Sequence, residues 1–177
     1  MYKIIVLFVL FLFSFSFANA SSIAVVNVQE VLNNSLVIID ATKSLNSEKD
    51  SYQKKFSERE TALTKERDSI STRSSILSQA DIQKEVEAFQ KKIMDFQTEV
   101  KETETKLQQK MNNILTKVSK ELNIIIEDML KEKEFSKYGK VINSETLLYY
   151  NTQDDITKNV LLRLNKKFKN LKSIEKQ

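Results

Sequence analysis

The sequence lacks four residue types that many kinds of functional site require. Among its 177 residues there is no cysteine, histidine, tryptophan or proline, and glycine occurs once, at Gly139. Without cysteine or histidine, a disulfide scaffold, a zinc site of Cys and His ligands, a cysteine nucleophile and a histidine-based triad are excluded. A single glycine excludes glycine-rich phosphate loops and disfavours sandwiches or barrels with many tight turns. These absences favour an elongated, helical protein.

The first 20 residues have the pattern of a secretory signal peptide. Met1-Tyr2-Lys3 forms a basic start, residues 4–17 are apolar apart from two serines, and Ala18-Asn19-Ala20 forms an A-x-A cleavage site. The apolar run is too short and wrongly flanked for a membrane span, and no cysteine follows the cleavage site to carry a lipid anchor. We predict export by a signal peptide that is cleaved after Ala20.

The next segments change from a strand pattern to a helix pattern. Residues 22–28 (SIAVVNV) are rich in β-branched side chains, which favours a buried strand, although the first turn of a helix is the alternative. From residue 43 the chain is polar, and its apolar residues keep a strict seven-residue spacing at Phe56, Leu63, Ile70 and Leu77. This spacing predicts a helix with a thin apolar stripe.

A serine-rich stretch at residues 74–78 predicts a turn between two helices, because serine hydroxyls compete for backbone groups and favour helix ends. An uninterrupted helix is the alternative. If the chain folds back about Leu77, Phe56 comes near Thr98. The apolar segments 31–41 and 111–130 then meet at one end, and the sparse segments meet at the tip.

The second helix has the clearest apolar periodicity in the chain. Steps of four and three residues define a heptad seam at Ile82, Val86, Phe89, Ile93, Phe96 and Val100. Thr103 takes the next seam position, and from Leu107 the period changes to eleven residues, which relaxes or reverses a left-handed supercoil. A helix from 81 to 133 would be roughly 80 Å long at about 1.5 Å per residue.

The C-terminal part of the chain returns to mixed structure. Val141-Ile142 and residues 147–150 (LLYY) predict two short strands. A final helix is predicted from about Asp155, with one apolar face that contains Ile156, Val160, Leu161, Leu164, Phe168 and Leu171.

These segments predict an α+β fold that is mostly α. A long antiparallel coiled-coil helical hairpin, residues 43–134 with its turn near 74–78, projects from a small β body that oligomerisation completes. The β/α body would come from residues 21–42 and 135–177. Three strands and one helix form a poor core alone, because small folds bury too little of their surface. We therefore predict that the body joins subunits through Ile23, Val25, Val26, Val28, Val141, Ile142, Leu148, Tyr150, Ile156 and Val160.

Charge is distributed unevenly along the chain. The hairpin segment has equal numbers of basic and acidic residues, whereas the C-terminal segment is basic. Five bases without an acid between them form a basic patch at Arg163, Lys166, Lys167, Lys169 and Lys172. We favour a solvated helix face and tail, with attraction to an anionic lipid surface or an acidic partner as the alternative. Export and the mixed-sign hairpin argue against a nucleic-acid partner.

Two terminal motifs resemble those of the Skp/OmpH family of periplasmic chaperones. Residues 23–28 (IAVVNV), just after the signal peptide, resemble the family's first strand. Tyr150-Asn151, followed by Asp155-Ile156-Thr157 and Val160-Leu161, resembles its closing strand and helix. The resemblance covers essentially the whole mature chain. It implies a jellyfish-shaped homotrimer in the periplasm, with a small β body and three helical tentacles, that holds unfolded outer-membrane proteins without ATP or any cofactor.

The hairpin tip differs from that family pattern. Tentacle tips in the family are often basic, whereas Arg73 is the only base between residues 73 and 80 here. This difference argues against lipid contact at the tip.

A holding function would use many weak apolar contacts rather than one deep pocket. The residues that flexible tentacles could offer to an unfolded client are Tyr52, Phe56, Leu63, Ile70, Ile76, Leu77, Ile82, Phe89 and Met94. The alternative for each is packing inside the hairpin. A structural coiled-coil spacer, or a component of an envelope assembly, is the competing function. An enzyme is the least favoured class, because the carboxylates alternate with Lys and Arg as solvated helix charges and form no acid–base or metal cluster.

Overall fold

The computed structural model describes residues 21–175, so the predicted signal peptide lies outside the described residues. Two strands and five helices follow one another along the chain, with two short 3-10 turns, Ser144–Thr146 and Thr152–Asp154, after the second strand. In chain order the main elements are β1 (Ser22–Val26), α1 (Val28–Asn34), α2 (Leu36–Arg73), α3 (Gln79–Leu130), β2 (Tyr138–Asn143), α4 (Thr157–Lys167) and α5 (Leu171–Glu175).

The two longest helices, α2 with 38 residues and α3 with 52, form an antiparallel hairpin. Serine side chains end α2 in the absence of glycine or proline. The hydroxyl of Ser74 donates to the carbonyl of Ser71 at 2.7 Å. Ser78 then caps α3, since its hydroxyl accepts from the N–H of Asp81 and donates to its carboxylate at 2.6 Å. Residues 74–78 therefore connect the helices, and the uninterrupted-helix alternative is excluded.

The hairpin register lies close to the predicted symmetry about Leu77. The ring of Phe56 contacts that of Phe96, 5.9 Å away between centroids, near the predicted Thr98. The ion pairs between the helices are instead symmetric about residue 79, as for Glu66 and Lys92. A helical side chain leans toward the N-terminus of its own helix. Two long side chains that meet across the hairpin therefore belong to residues slightly further along each helix than the two backbone positions that face each other. This difference moves the centre of symmetry of the ion pairs to a higher residue number.

The sheet has two parallel strands in the described residues, β1 and β2. Val28, predicted as the end of the first strand, instead begins α1, because the Asn27 side chain accepts the N–H of Glu30 at 2.9 Å and caps the helix. A bulge interrupts the register between Ser22 and Ile23, where β2 has one extra residue, Gly139. A Cβ at Gly139 would lie 2.0 Å from the Ser21 hydroxyl oxygen, so a larger residue here would force the N-terminal segment to shift.

The predicted third strand, residues 147–150, is wrong for the single chain. The 3-10 turn at Ser144–Thr146 leads into an irregular stretch that bends at Leu148 and has no strand pairing in the described residues, and the side chain of Leu148 is fully exposed. The LLYY pattern fits a strand, but no strand edge within residues 21–175 pairs with it. The outer side of β1 is closed instead by the segment before α4, where the N–H of Ile156 donates to the carbonyl of Val25 at 2.8 Å.

The body buries a continuous apolar core within one chain, so the single chain already contains much of the dry interior that the sequence analysis assigned to contacts between subunits. Helix α4 packs against both α1 and the root of α3. The largest fully buried side chains of this core are Val31, Val37, Val118, Met129, Val160, Leu164, Phe168 and Ile174. The prediction counted the strands and the last helix alone and omitted the root of the hairpin, which provides much of the core.

The final helix does not continue through Phe168 as predicted. Its backbone is extended at Phe168, with φ −124° and ψ 103°, and a second short helix begins at Leu171. The Asn170 side chain accepts the N–H of Ser173 at 3.1 Å and so starts this helix anew. The apolar spacing at 164, 168 and 171 fits one continuous helix, but the chain bends after Lys167 and brings α5 onto α2 and α3.

Candidate functional site

Burial decreases along the hairpin from the body to the tip. On α3 the buried residues are Ile114, Val118, Leu122, Ile125 and Met129, all in the half near the body. On α2 beyond the body, Leu63 is the single buried residue. The outer half of the hairpin is therefore held mainly by half-buried side chains.

An aromatic group marks the middle of the hairpin. Tyr52 and Phe56 are one turn apart and their rings stack at 6.0 Å between centroids, while Phe56 meets Phe96 edge-on. The Arg59 guanidinium lies over the Phe96 ring at 5.7 Å. These contacts join the two helices through ring edges and faces rather than through a continuous dry seam.

A half-open cavity of about 350 Å³ lies between the helices beside this aromatic group. Its apolar wall consists of Tyr52, Phe56, Val100 and Leu107, and Thr103 lies between the last two on α3. Thr103 is the polar residue that interrupts the heptad seam, and its small side chain leaves the space unfilled. The sequence contained this signal, since Thr103 was recognised as the next seam position, but no cavity was predicted there.

A second open cavity, about 330 Å³, lies nearer the tip. It is lined by Leu63, Phe89, Ile93 and Phe96 together with polar residues. Both cavities are open to solvent, so each can accept an apolar side chain from outside.

The predicted client contacts differ in their exposure. Ile76 in the turn is 83% exposed and Met94 on the outer face of α3 is 59% exposed. The half-buried candidates, which face the hairpin groove, are Tyr52, Phe56, Ile70, Leu77, Ile82 and Phe89. Leu63 is 7% exposed and packs between the helices, so it leaves the contact set unless the hairpin opens.

Four ion pairs connect α2 to α3, and their polarity alternates along the hairpin. The pairs are Glu48–Lys110 at 2.7 Å, Arg59–Glu99 at 2.5 Å, Glu66–Lys92 at 2.6 Å and Arg73–Glu85 at 2.7 Å. The three outer pairs are seven residues apart on each helix, and the inner pair follows after eleven. We call these four pairs the charge ladder; the sequence prediction recognised the mixed charges but missed their pairing.

The main effect of the charge ladder is to favour one register of α2 against α3 over slipped registers. Its contribution to the overall stability of the hairpin is small. Exposed pairs contribute about 0.2–1 kcal/mol each. A slide of one heptad would place Arg59 against Lys92 and Glu66 against Glu85, so like charges would face each other. The alternation therefore disfavours a slipped hairpin.

The predicted subunit contacts fall into three groups in the body. Buried within the single chain are Val25, Val26, Ile156 and Val160. Half-buried are Val28, Val141, Ile142 and Tyr150. Exposed are Ile23 and Leu148, and the prediction missed their exposed neighbour Tyr149. The Asp155 carboxylate accepts from the Tyr150 hydroxyl at 3.3 Å, and its negative charge raises the pKa of Tyr150.

The basic patch is partly neutralised by acids near the body end of α3. Arg163 forms a bidentate pair with Glu132 at 2.5 and 2.6 Å, and Lys167 lies 2.5 Å from Glu121. The hydrogen bonds from Arg163 lower the pKa of Glu132, and those to Glu132 raise the pKa of Arg163. Lys166, Lys169 and Lys172 are without an acidic partner in the described part of the chain. The predicted five-residue patch therefore reduces to three free bases.

Two further properties concern residues 21–175. None of their helices combines the length and the apolar character that a membrane crossing requires. Their side chains form no group of three or more His, Cys, Asp or Glu that could hold a metal ion.

Taken together, the hairpin, its shallow apolar grooves and the small α/β body define an elongated helical-hairpin protein built for surface contacts. Residues 22–164 match the family of OmpH-like outer membrane proteins, and the chain belongs to that family. Comparison with curated proteins gave no match. The fold is similar to the crystal structure of a Caulobacter crescentus protein proposed to be an OmpH-like outer membrane chaperone. The TM-score is 0.76 at 19% identity, over 84% of this chain and 86% of that one. The predicted family and fold class are thus confirmed.

Proposed function

We propose that this chain is an ATP-independent periplasmic holdase that binds unfolded outer-membrane proteins between its hairpins and prevents their aggregation. The observation that carries the proposal is the partly exposed apolar surface of the outer hairpin, where Ile76 and Met94 are exposed and the aromatic group is half-buried. Membership of the OmpH-like family supports the same function. Holding a client requires no reaction, so no catalytic group or cofactor is needed.

The outer hairpin is suited to clients of varied sequence because its own packing is weak. Burying a large apolar side chain contributes roughly 1.5–3 kcal/mol, and ordering each residue costs about 1–2 kcal/mol of backbone entropy. With Leu63 as the single buried residue of α2 in this region, the hairpin gains little from closing tightly. Groove residues such as Phe56 and Phe89 can then contact a client when the helices separate.

Binding lowers the rate of client aggregation by mass action. A holdase that binds the unfolded state lowers the concentration of free aggregating chains. Many weak contacts along two long helices provide this without selecting one sequence, and the flexible thioether of Met94 adds an adaptable contact.

We further propose that the body assembles as a homotrimer, as the family resemblance implies. Ile23 on β1 and Leu148 and Tyr149 in the irregular stretch after β2 are large apolar side chains exposed on the body, which a second copy can cover. The mass of the mature protein in solution tests this assembly: three chains support it, and a stable monomer contradicts it.

Location and lipid contact complete the proposal. We expect the mature protein from a periplasmic fraction to begin at Ser21, which N-terminal sequencing checks.

Lipid attraction would rest on Lys166, Lys169 and Lys172, at about 1 kcal/mol per base near an anionic surface. Sedimentation with anionic vesicles that weakens strongly in salt would support it, whereas equal sedimentation with neutral vesicles would contradict it.

The proposed function predicts the effect of removing exposed apolar side chains. The purified mature protein should suppress aggregation of a β-barrel protein diluted from urea, without ATP. The Ile76→Ser/Met94→Ser double variant should need several-fold more protein for the same suppression, because both side chains are exposed and their loss costs the hairpin little packing. Light scattering measures the aggregation.

A matched control is Gln90→Ser, an exposed polar residue on α3 between the two sites. It should behave as the unmodified protein. No suppression by the unmodified protein, combined with tight binding to one folded envelope partner, would favour the structural spacer instead.

A further inference from the structure

The C-terminal segment is the part of this chain that family membership does not explain. The family match ends at residue 164, yet the chain stays ordered against the hairpin beyond that point. Phe168 and Ile174 are each 1% exposed and belong to the body core. A solvated tail would leave such side chains in water.

Polar contacts fix both ends of α5 to the two helices of the hairpin. The N–H of Leu171, at the start of α5, donates to the Asp40 carboxylate of α2 at 2.9 Å. The carbonyl of Ile174, at its end, accepts from the Lys117 ammonium of α3 at 3.4 Å. Backbone groups at helix ends lack partners within the helix, so these two side chains satisfy them and set the position of α5.

Apolar contacts place α5 across the hairpin root. A cavity of about 340 Å³ lies between α5 and the hairpin, with Leu45 of α2 and Ile114 of α3 on one side and Leu171 and Ile174 on the other. The innermost rung of the charge ladder, Glu48–Lys110, borders the same cavity. Helix α5 therefore contacts both arms at the point where dense burial gives way to the sparse outer hairpin.

We infer that residues 168–175 act as a brace that ties the hairpin root to the body and holds its two helices together there. Phe168 anchors the brace in the body core and α5 spans the two arms. With the brace docked, bending of the hairpin starts outward of Leu45 and Ile114. The consequence for clients, a limit on how far the arms spread, rests on the proposed function; the brace itself does not.

The chain has no cysteine, so a pair of introduced cysteines can carry spin labels without labelling at any other site. One label goes at Gln90 on the outer hairpin and one at Leu162, which is exposed on α4 of the body. Labelled chains are diluted with excess unlabelled chains, so that distances within one chain are measured. Ending the chain after Asn170 removes the α5 part of the brace, and Ile174→Ser or Asp40→Ala/Lys117→Met weakens its contacts with the hairpin. Lys172→Ser, an exposed position on the same short helix, is the matched control.

The unmodified protein and Lys172→Ser should give one narrow distance distribution. The truncated chain and Ile174→Ser should give a distribution at least about twofold broader, with hydrogen exchange in residues 37–48 and 110–118 more than about tenfold faster. Unchanged exchange in β1 and α1 shows that the body stays folded. If truncation unfolds the body, the Asp40→Ala/Lys117→Met variant, which removes both polar contacts of α5, decides by the same readouts. Identical distances and exchange in the folded variants would overturn the brace, and the result is independent of client holding because no client is present.

Discussion

At the scale of single residues, a few side chains determine where elements begin, end and meet. Asn27, Ser78 and Asn170 start helices by accepting backbone N–H groups. The helix-capping role of Ser78 could be recognised from the sequence, because Asp81 follows three residues later, the spacing of a capping box. Asn170 was missed because the apolar residues on either side of it fit one unbroken helix. Local caps thus override apolar spacing where the two conflict.

The Glu132–Arg163 pair gives a pH-dependent contribution at this scale. Its hydrogen bonds lower the pKa of Glu132, so the pair stabilises the folded chain above the ordinary glutamate range. That stabilisation is lost as pH falls through the lowered pKa. We expect Glu132→Gln to lower Tm at neutral pH and to match the unmodified protein in acid, measured by circular dichroism across the pH range.

Glu127→Gln, at an exposed position on α3, serves as the control for this pH series and should leave Tm nearly unchanged. A Tm gap for Glu132→Gln that is equally large in acid and at neutral pH would refute the assignment.

At the scale of elements, the hairpin and the two strands of the sheet were predictable, and the third predicted strand was wrong. The heptad seam of α3 identifies a helix from local spacing alone, so the position of the hairpin followed from the sequence. The strand prediction at residues 147–150 rested on an equally clear local pattern. A strand, however, needs a partner edge, which local sequence does not specify. Leu148 and Tyr149 show the pattern without the partner.

The charge ladder makes a prediction at the element scale. Glu66→Lys should face Lys92 as a like charge and lower stability by about 0.5 kcal/mol, a magnitude usual for exposed pairs. Lys92→Glu alone should do the same, and the double exchange should restore stability to within a few tenths of a kcal/mol. Urea denaturation of the four proteins measures this cycle.

Exposed residues off the ladder provide the comparison. Lys65→Glu and Lys91→Glu, at two positions that form no ion pair in the described residues, should show no coupling in the same kind of cycle. Additive losses at Glu66 and Lys92, with no rescue in the double variant, would mean that their proximity has no energetic role.

At the scale of the whole molecule, apolar residues are concentrated at one end. The sequence predicted an apolar end near the body and a tip with few apolar residues, from the distribution of apolar residues along α2 and α3. The structure has this gradient of burial. The sequence indicated that the two ends of the chain meet beside the hairpin base, but not how α4 and α5 pack over the root. That packing depends on contacts between residues more than 100 positions apart, such as Asn27 with Thr157. The surface left for other molecules is therefore the outer hairpin and the exposed edge of the body.

The most direct test of this account is site-specific photo-crosslinking along α3. A crosslinking residue at Met94, on the outer hairpin, should capture an unfolded barrel protein, whereas one at Lys120, exposed near the body, should capture several-fold less. The folded barrel should be captured at neither site. Equal capture at both sites, or suppression of aggregation without capture at Met94, would contradict the outer hairpin as the holding surface.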